Sequence, residues 1–387
     1  MLDKYLLVLL FIRAPHYYKT MKHNILKGIL ILNTTVCYSQ TDSLNFPFYG
    51  FNAHYGYIIP HTKIVKPISG TNPYGFLFDL GQLHTSYNSW KIFNTYWTSG
   101  FQTGYFSFNN PEILGGSFIF TGFAEPILAF GKRYIFSVRG GVGLSYHTKF
   151  YNKNDNPQNL FFSTRISFPL YVSTRFKFKI SPSLYLTLSG FYNHISNGGI
   201  KQPNYGMNFP TLSAGLEYYK NPLPLIKKKY IADNKIEEPG IYFLIGAISS
   251  YKVVDATEIF PEKGTISWGI YVRAVKKLRP FYSLNTGVEL IADNAIKEVI
   301  RREETGIDHK RFAVTAGQDF HMGKVVFTQY LGFYVYAPYK ARQSVYQKYE
   351  LVYKINNNLI AGVFMKAHTS NAELMGITAS WTIRTKH

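Results

Sequence analysis

Cysteine is almost absent from this chain of 387 residues, since Cys37 is the only one. A single thiol leaves no pair for a disulfide and no cysteine cluster for a metal ion. After its N-terminal region the sequence also lacks any apolar run of about eighteen residues, which excludes a membrane protein built from helices. Tryptophan is scarce at 4 residues, whereas tyrosine and phenylalanine number 32 and 31. Aromatic side chains suit a pleated strand surface, so the composition favours a β-rich fold.

Acidic residues are few relative to basic ones. The chain has 22 Asp and Glu against 42 Lys and Arg, a formal charge of +20. Such a balance suggests an anionic partner, either nucleic acid or an anionic lipid surface. No nucleic-acid-binding motif accompanies the charge, and the longest basic run, 227–229, is compatible with a solvated turn. We therefore expect an anionic lipid surface as the partner and no nucleic acid.

The first forty residues have the pattern of an export signal. Residues 1–20 do not resemble part of a fold, and we expect translation to start at Met21. From there a positively charged stretch, a short apolar stretch and a small residue at Ser39 follow in the order of a secretory signal peptide. The sequence thus predicts a signal peptide over 21–39 and export from the cytoplasm.

The mature chain reads as a series of strands. Segments of about ten residues with period-two patterning are separated by turn residues, and we count about twelve to sixteen of them. In the segment SLYLTLSGFYNH, Leu184, Leu186 and Leu188 alternate with polar or mixed residues. Alternation of this kind is typical of strands with one face towards lipid and the other towards a lumen. We predict an all-β fold, an antiparallel outer-membrane β-barrel, in preference to a secreted sandwich.

A charged, proline-bearing segment, 222–240, divides the strands into two sets. It could be a long loop of one barrel or a linker. Because the strand segments on both sides have similar length and texture, we predict that 40–387 forms a single closed barrel in which 222–240 is a loop.

The usual signatures of catalysis and cofactor binding are missing. The sequence has no nucleophile elbow, no H-E-x-x-H zinc motif, no phosphate-binding P-loop and no dinucleotide-binding glycine motif. We therefore predict no cofactor and no metal site.

One stretch, GFYNHISNGGIKQPNYGMNFP (190–210), differs from the rest of the chain. In a strand, residues i and i+2 share a face, so His194 and Ser196 are neighbours. A histidine beside a serine is the minimum for nucleophilic ester hydrolysis, in which the imidazole takes the hydroxyl proton. Asn197, the two glycines that follow it and Asn204 could supply amide donors for the oxyanion. The alternative is a polar strand end that runs into a turn.

The segment HISNGGIKQPNYGMN resembles the signature of the outer-membrane lipid A 3-O-deacylases, the PagL or acyloxyacyl hydrolase family. That signature is H-x-S-N followed by a P-N-x-G loop. The resemblance covers about twenty residues closely, and 240–387 extends beyond the small eight-stranded barrel of the family. It implies that His194 is the base, that Ser196 is the nucleophile and that Asn204 binds the oxyanion.

One position departs from the family. The glutamate that orients the family's histidine corresponds here to Asn208. Glu217 is the nearest acid downstream, but strand parity turns it into the lumen, whereas His194 and Ser196 share the lipid-facing parity. We therefore expect Asn208 to orient His194, because an asparagine can hold an imidazole tautomer. Glu217 stays as the alternative orienting acid.

The resemblance implies an esterase that removes an ester-linked acyl chain from lipid A, with lipopolysaccharide and outer-membrane lipids as partners. If SLYLTLSGFYNH is the seventh strand, it runs outward and places His194 near the outer leaflet. Four lysines could then meet lipid A phosphates: Lys149, Lys153, Lys201 and Lys220. A non-catalytic barrel that retains the loop is the alternative function. A second His-x-Ser-Asn sequence, 368–371, lacks the P-N-x-G continuation and is interpreted as chance.

Overall fold

The computed structural model describes residues 46–86, 90, 95–223, 225, 240–369 and 371–384. The predicted start at Met21, the signal peptide over 21–39 and Cys37 lie outside these residues. No helix in the described part of the chain is long and apolar enough to cross a membrane. Almost all of the regular structure is antiparallel strand.

The first barrel contains eight strands: β1 (Phe46–Gly56), β2 (Tyr74–His84), β3 (Trp97–Asn110), β4 (Gly115–Phe130), β5 (Tyr134–His147), β6 (Ile166–Lys179), β7 (Leu184–Ser196) and β8 (Met207–Tyr219). A short 3-10 helix, Lys66–Ile68, lies between β1 and β2. The strands pair in sequence order. The barrel closes because β1 also pairs with β8, from Phe48 opposite Tyr219 to Gly56 opposite Thr211.

The second barrel also contains eight strands: β9 (Ile241–Val254), β10 (Lys263–Arg279), β11 (Tyr282–Ala292), β12 (Lys310–Met322), β13 (Val325–Tyr336), β14 (Val345–Lys354), β15 (Leu359–His368) and β16 (Asn371–Arg384). One helix, α1 (Asn294–Glu303), connects β11 to β12. Asp293 caps it by accepting hydrogen bonds from the backbone N–H groups of Ala295 and Ile296, both at 3.1 Å. This barrel closes because β9 pairs with both β10 and β16.

The prediction of a single closed barrel over 40–387 is therefore wrong in its topology. The strand segments exist on both sides of 222–240 as expected, but they close into two separate barrels. Alternation reports only which face of a strand is apolar, and it carries no information about which strand pairs with the first. The segment 222–240 thus connects two barrels, and both barrels lie in one compact unit of the chain.

The outer faces of both barrels are apolar. On β7, Leu186 and Leu188 are exposed, whereas Tyr185 and Thr187 between them are buried. On β10 of the second barrel, Ile266, Trp268 and Ile270 are exposed in the same alternation. An apolar outer face on a closed antiparallel barrel is the pattern of a transmembrane β-barrel. The predicted fold class is confirmed.

Paired charges fill the lumen of the first barrel. Six charged residues there are fully buried: Asp79, Glu125, Arg139, Arg175, Lys177 and Glu217. Arg139 contacts Asp79 at 2.6 Å and Glu125 at 2.7 Å, and Arg175 contacts Glu217 at 2.6 Å. Each charge loses its water but gains opposite charges and hydrogen bonds, which is the condition for burying it.

Apolar clusters close both ends of this charged layer. Phe108, Phe161, Phe162 and Phe209 belong to the cluster at one end, and Phe48 and Tyr219 to the cluster at the other. The first barrel is therefore a packed core with no room for a channel.

The second barrel has a lumen of the same kind. Glu289 accepts from Lys348 and, at 2.7 Å, from Lys366, while Arg273 and Glu350 form an ion pair at 2.7 Å. Both barrels thus use buried ion pairs to fill their interiors.

Candidate active site

The residues singled out in the sequence lie at one end of the first barrel, where β7 ends and the loop 197–206 begins. Two other loops at this end hold that loop. The hydroxyl of Ser163 donates to the carbonyl of Lys201 at 2.7 Å. His61 Nε2 lies 3.0 Å from the carbonyl oxygen of Tyr205. Side chains on a loop supported from both sides keep a defined position, as a reactive group requires.

His194 is held by Asn208. The two residues are directly opposite each other on β7 and β8, and His194 Nδ1 lies 2.6 Å from Asn208 Oδ1. Because the amide oxygen can only accept, Nδ1 carries the proton in this arrangement. His194 Nε2 therefore has its lone pair free to accept a proton.

Gly206 keeps the space beside this imidazole open. Its φ of +67° favours glycine, and a Cβ there would lie 2.9 Å from His194 Cε1.

Two N–H groups converge on the hydroxyl of Ser196. The backbone N–H of Gly198 donates to Ser196 Oγ at 3.1 Å, and the Nδ2 amide of Asn204 donates to it at 2.9 Å. The backbone N–H of Asn197 donates to Asn204 Oδ1 at 3.1 Å and so orients that amide. These donors fix the serine oxygen, and they lie in the neighbourhood of the carbonyl oxygen of any ester that this serine would attack.

His194 and Ser196 share the outer face of β7, as their parity predicts, and both are half-buried. In the described residues they are not hydrogen-bonded to each other. Side chains at i and i+2 of a strand start about 7 Å apart at their Cα atoms, and imidazole–hydroxyl contacts often tighten only when substrate binds. The site therefore combines a pre-oriented histidine with a serine that is already held by two donors.

The other predicted site residues lie elsewhere. Both N–H groups of the Asn197 side chain are already used, one by Ser163 Oγ of the loop 148–165 at 2.9 Å and one by the Lys201 carbonyl at 2.8 Å. The structure thus does not bring that amide to Ser196. Glu217 is fully buried in the lumen, 2.7 Å from Lys177 Nζ, as the parity argument predicts. Nine residues along β8 separate it from Asn208, about 30 Å in a strand.

Of the four lysines, Lys149 and Lys153 are exposed in the loop 148–165, on the same end of the barrel as Ser196. Lys201 is in the loop 197–206 but pairs with Glu262 at 2.8 Å. The expectation for Lys220 is wrong, because it follows β8 at the opposite end, where its N–H donates to the carbonyl of Pro47. The sequence did carry a signal against it, because consecutive antiparallel strands put the end of β8 at the opposite end of the barrel from the end of β7.

Sequence reasoning also missed His61. The contact of His61 with Tyr205 depends on a long-range approach that no local pattern encodes. Of the two loop glycines expected to supply amide donors, Gly198 has its N–H on the serine oxygen.

The fold defines an outer-membrane β-barrel protein, and His194 and Ser196 lie on its lipid-facing surface. Residues 76–217 match the family model described as lipid A 3-O-deacylase (PagL), and residues 241–385 match that of the acyloxyacyl hydrolase C-terminal domain. The chain belongs to this family, as the resemblance of its H-x-S-N loop predicted. No curated protein matches the sequence.

Solved structures resemble the chain more distantly. The crystal structure of the outer membrane enzyme PagL is 19% identical over 43% of this chain and 97% of its own, with a TM-score of 0.29. A triple mutant of the Rhodopseudomonas blastica porin is 9% identical to this chain. The match covers 88% of this chain and 99% of the porin, with a TM-score of 0.17. A mutant ferric enterobactin receptor (PfeA) from Pseudomonas aeruginosa is 10% identical to this chain. The match covers 85% of this chain and 53% of the receptor, with a TM-score of 0.23. TM-scores this low leave the family models as the basis for the assignment.

Proposed function

We propose that this protein is an outer-membrane serine esterase that removes an ester-linked acyl chain from lipid A. Its placement in the lipid A 3-O-deacylase family supports the substrate class. The observation that carries the chemistry is the convergence of Gly198 N–H and Asn204 Nδ2 on Ser196 Oγ, beside a histidine already oriented by Asn208.

In the proposed mechanism, His194 Nε2 takes the proton of Ser196 Oγ as that oxygen attacks the ester carbonyl. The carbonyl oxygen becomes an oxyanion that accepts from Asn204 Nδ2 and Gly198 N–H. His194 then gives its proton to the leaving sugar oxygen, and the acyl chain stays on Ser196. Water, deprotonated by His194, hydrolyses this acyl-enzyme and releases the fatty acid.

Asn208 supports the imidazolium less strongly than a carboxylate does, because it offers a dipole and no charge. It still fixes the tautomer, since its Oδ1 accepts the Nδ1 proton of His194. We infer that this suffices for activity and that Glu217 has no part in it.

The position of the site suits a lipid substrate. His194 and Ser196 face outward from β7 beside exposed apolar residues such as Leu188 and Tyr192, so an acyl chain in the bilayer can reach them without leaving it. With the mature N-terminus in the periplasm, the odd-numbered strand β7 runs outward and the site meets the outer leaflet. Lys149 and Lys153 at this end would meet the lipid A phosphates. Filled lumens in both barrels speak against the alternative of a pore.

The test is fatty acid release from purified lipid A by protein folded in detergent. Ser196→Ala is compared with Ser189→Ala, a serine on the inner face of the same strand. We expect Ser196→Ala to lose about 10⁴-fold or more in rate and Ser189→Ala to keep the wild-type rate. Release by Ser196→Ala above about a tenth of the wild-type rate would contradict the serine mechanism.

A further inference from the structure

The loop that carries the oxyanion donors contacts the second barrel. Three separate parts of that barrel approach the short segment 198–201: the beginning of β16, the end of β9 and the loop between β9 and β10. The residues of the second barrel that make these contacts lie outside 76–217, the stretch matched by the lipid A 3-O-deacylase model.

The beginning of β16 packs closely against two glycines of the loop. Gly198 and Gly199 have φ values of +68° and +81°, which favour glycine. A Cβ on Gly198 would lie 2.5 Å from the Sδ atom of Met375, and one on Gly199 would lie 2.7 Å from the carbonyl oxygen of Ala372. Both glycines are thus required by the approach of the second barrel as well as by their own backbone conformation.

The end of β9 forms a backbone hydrogen bond to the same segment. β9 pairs with β16 only as far as Ser250 opposite Gly376. Beyond Ser250 the edge of β9 that faced β16 bonds to the loop 197–206 instead. The N–H of Val253 donates to the carbonyl oxygen of Ile200 at 2.7 Å. Glu262 adds an ion pair with Lys201 at 2.8 Å.

These contacts bear on the chemistry through Gly198. Its N–H is one of the two donors on Ser196 Oγ, and its neighbour Gly199 lies close against the backbone of Ala372. A peptide N–H cannot be aimed by a side chain of its own, so its direction depends on what holds the backbone on either side. Removing the contact with Met375 would let the Gly198 peptide rotate away from Ser196.

We propose that the second barrel positions the oxyanion loop of the first, with Met375 and the N–H of Val253 as positioning groups. This role rests on the function proposed above. It assigns to the second barrel a part in catalysis although it supplies no group that touches the reacting atoms.

The test compares Met375→Ala with Met375→Leu and with Met322→Ala. Met322 is also half-buried on the second barrel but lies at the far end of β12. We expect Met375→Ala to lower kcat by about tenfold with KM little changed, since only a transition-state donor is misplaced. Met375→Leu should restore most of kcat, and Met322→Ala should match wild type.

A second readout does not depend on activity. Backbone amide hydrogen exchange over 198–201 should be faster in Met375→Ala than in wild type and unchanged in Met322→Ala. Equal kcat and equal exchange in Met375→Ala and wild type would overturn the positioning role. If wild type releases no fatty acid, the proposed esterase function fails, and hydrogen exchange alone then decides whether the second barrel holds the loop.

Discussion

Both barrels carry a His-x-Ser-Asn sequence at the end of their seventh strand, yet the two histidines have different surroundings. In the first barrel His194 faces outward and contacts Asn208 on the neighbouring strand. In the second, His368 is buried in the lumen, where Nε2 lies 3.0 Å from Glu373 Oε2 and Nδ1 lies 3.0 Å from the Val345 carbonyl. Ser370 lies outside the described residues.

The connections after the two strands differ as well. β7 is joined to β8 by the loop 197–206, long enough to return Asn204 to the serine. β15 is joined to β16 by residues 369–370 alone, with His368 paired opposite Asn371. A turn of that length leaves no residues for an oxyanion donor. Strand parity and loop length, more than the four-residue motif itself, thus decide whether the motif forms a site.

The sharpest test of this comparison is the pair His194→Ala and His368→Ala. We expect His194→Ala to lose about 10⁴-fold in deacylation rate, because it removes the base proposed for Ser196. His368→Ala should keep the rate within about twofold while it lowers the free energy of unfolding by about 1–3 kcal/mol, since it leaves buried acceptors unpaired. Lipid A deacylation and thermal unfolding in detergent measure the two effects. A large rate loss in His368→Ala with unchanged stability would break the comparison.

The next effect in size concerns the returning loop. Asn204→Ala removes one of two donors on Ser196 Oγ, and we expect kcat to fall by about 10²–10³-fold. Asn72→Ala serves as its control, because Asn72 lies in a loop at the same end and donates only to the carbonyl of Gly56. Single-turnover kinetics on lipid A separates the chemical step from binding. Equal rates for both variants would remove Asn204 from the mechanism.

A smaller effect is expected at the orienting residue. Asn208→Ala should lower kcat by about 10²-fold, whereas Asn208→Asp should leave it similar or raise it, because either acceptor can fix the His194 tautomer. The initial rate of fatty acid release distinguishes these outcomes. If Asn208→Ala hydrolyses lipid A as fast as wild type, the orienting group lies elsewhere.

The smallest effect on rate is expected from substitutions of the charged residues in the barrel lumens. Glu217→Ala in the first barrel leaves Arg175 and Lys177 short of a partner, and Glu289→Ala in the second does the same to Lys348 and Lys366. Each variant should lose about 3–5 kcal/mol of stability while the folded protein keeps its kcat. Denaturant unfolding and activity at low temperature provide the two measurements. Selective loss of kcat in Glu217→Ala would restore Glu217 as a candidate orienting acid.

Much of the site was predictable because it depends on local rules. Period-two parity placed His194 and Ser196 on the lipid-facing side and Glu217 in the lumen, and the structure agrees. The predicted partnership of His194 with Asn208 is a direct cross-strand pair, which depends only on the register of one hairpin. Asn204 is likewise within eight residues of Ser196.

The remaining features depend on contacts between distant parts of the chain. Closure after eight strands is decided by the pairing of β1 with β8, and nothing in either strand distinguishes it from closure after sixteen. The use of the Asn197 amide by Ser163, and the approach of Met375 to Gly198, join segments more than thirty residues apart. Local patterning is silent about such contacts.

The central claim is that Ser196 is the nucleophile and that no residue of the second barrel acts as one. It is tested most directly by treating the folded protein with a fluorophosphonate, which forms a covalent bond with an activated serine oxygen, and mapping the adduct by peptide mass spectrometry. We predict a single adduct on Ser196, absent in His194→Ala and retained in His368→Ala. An adduct on another serine, or labelling of Ser196 that does not depend on His194, would contradict the account.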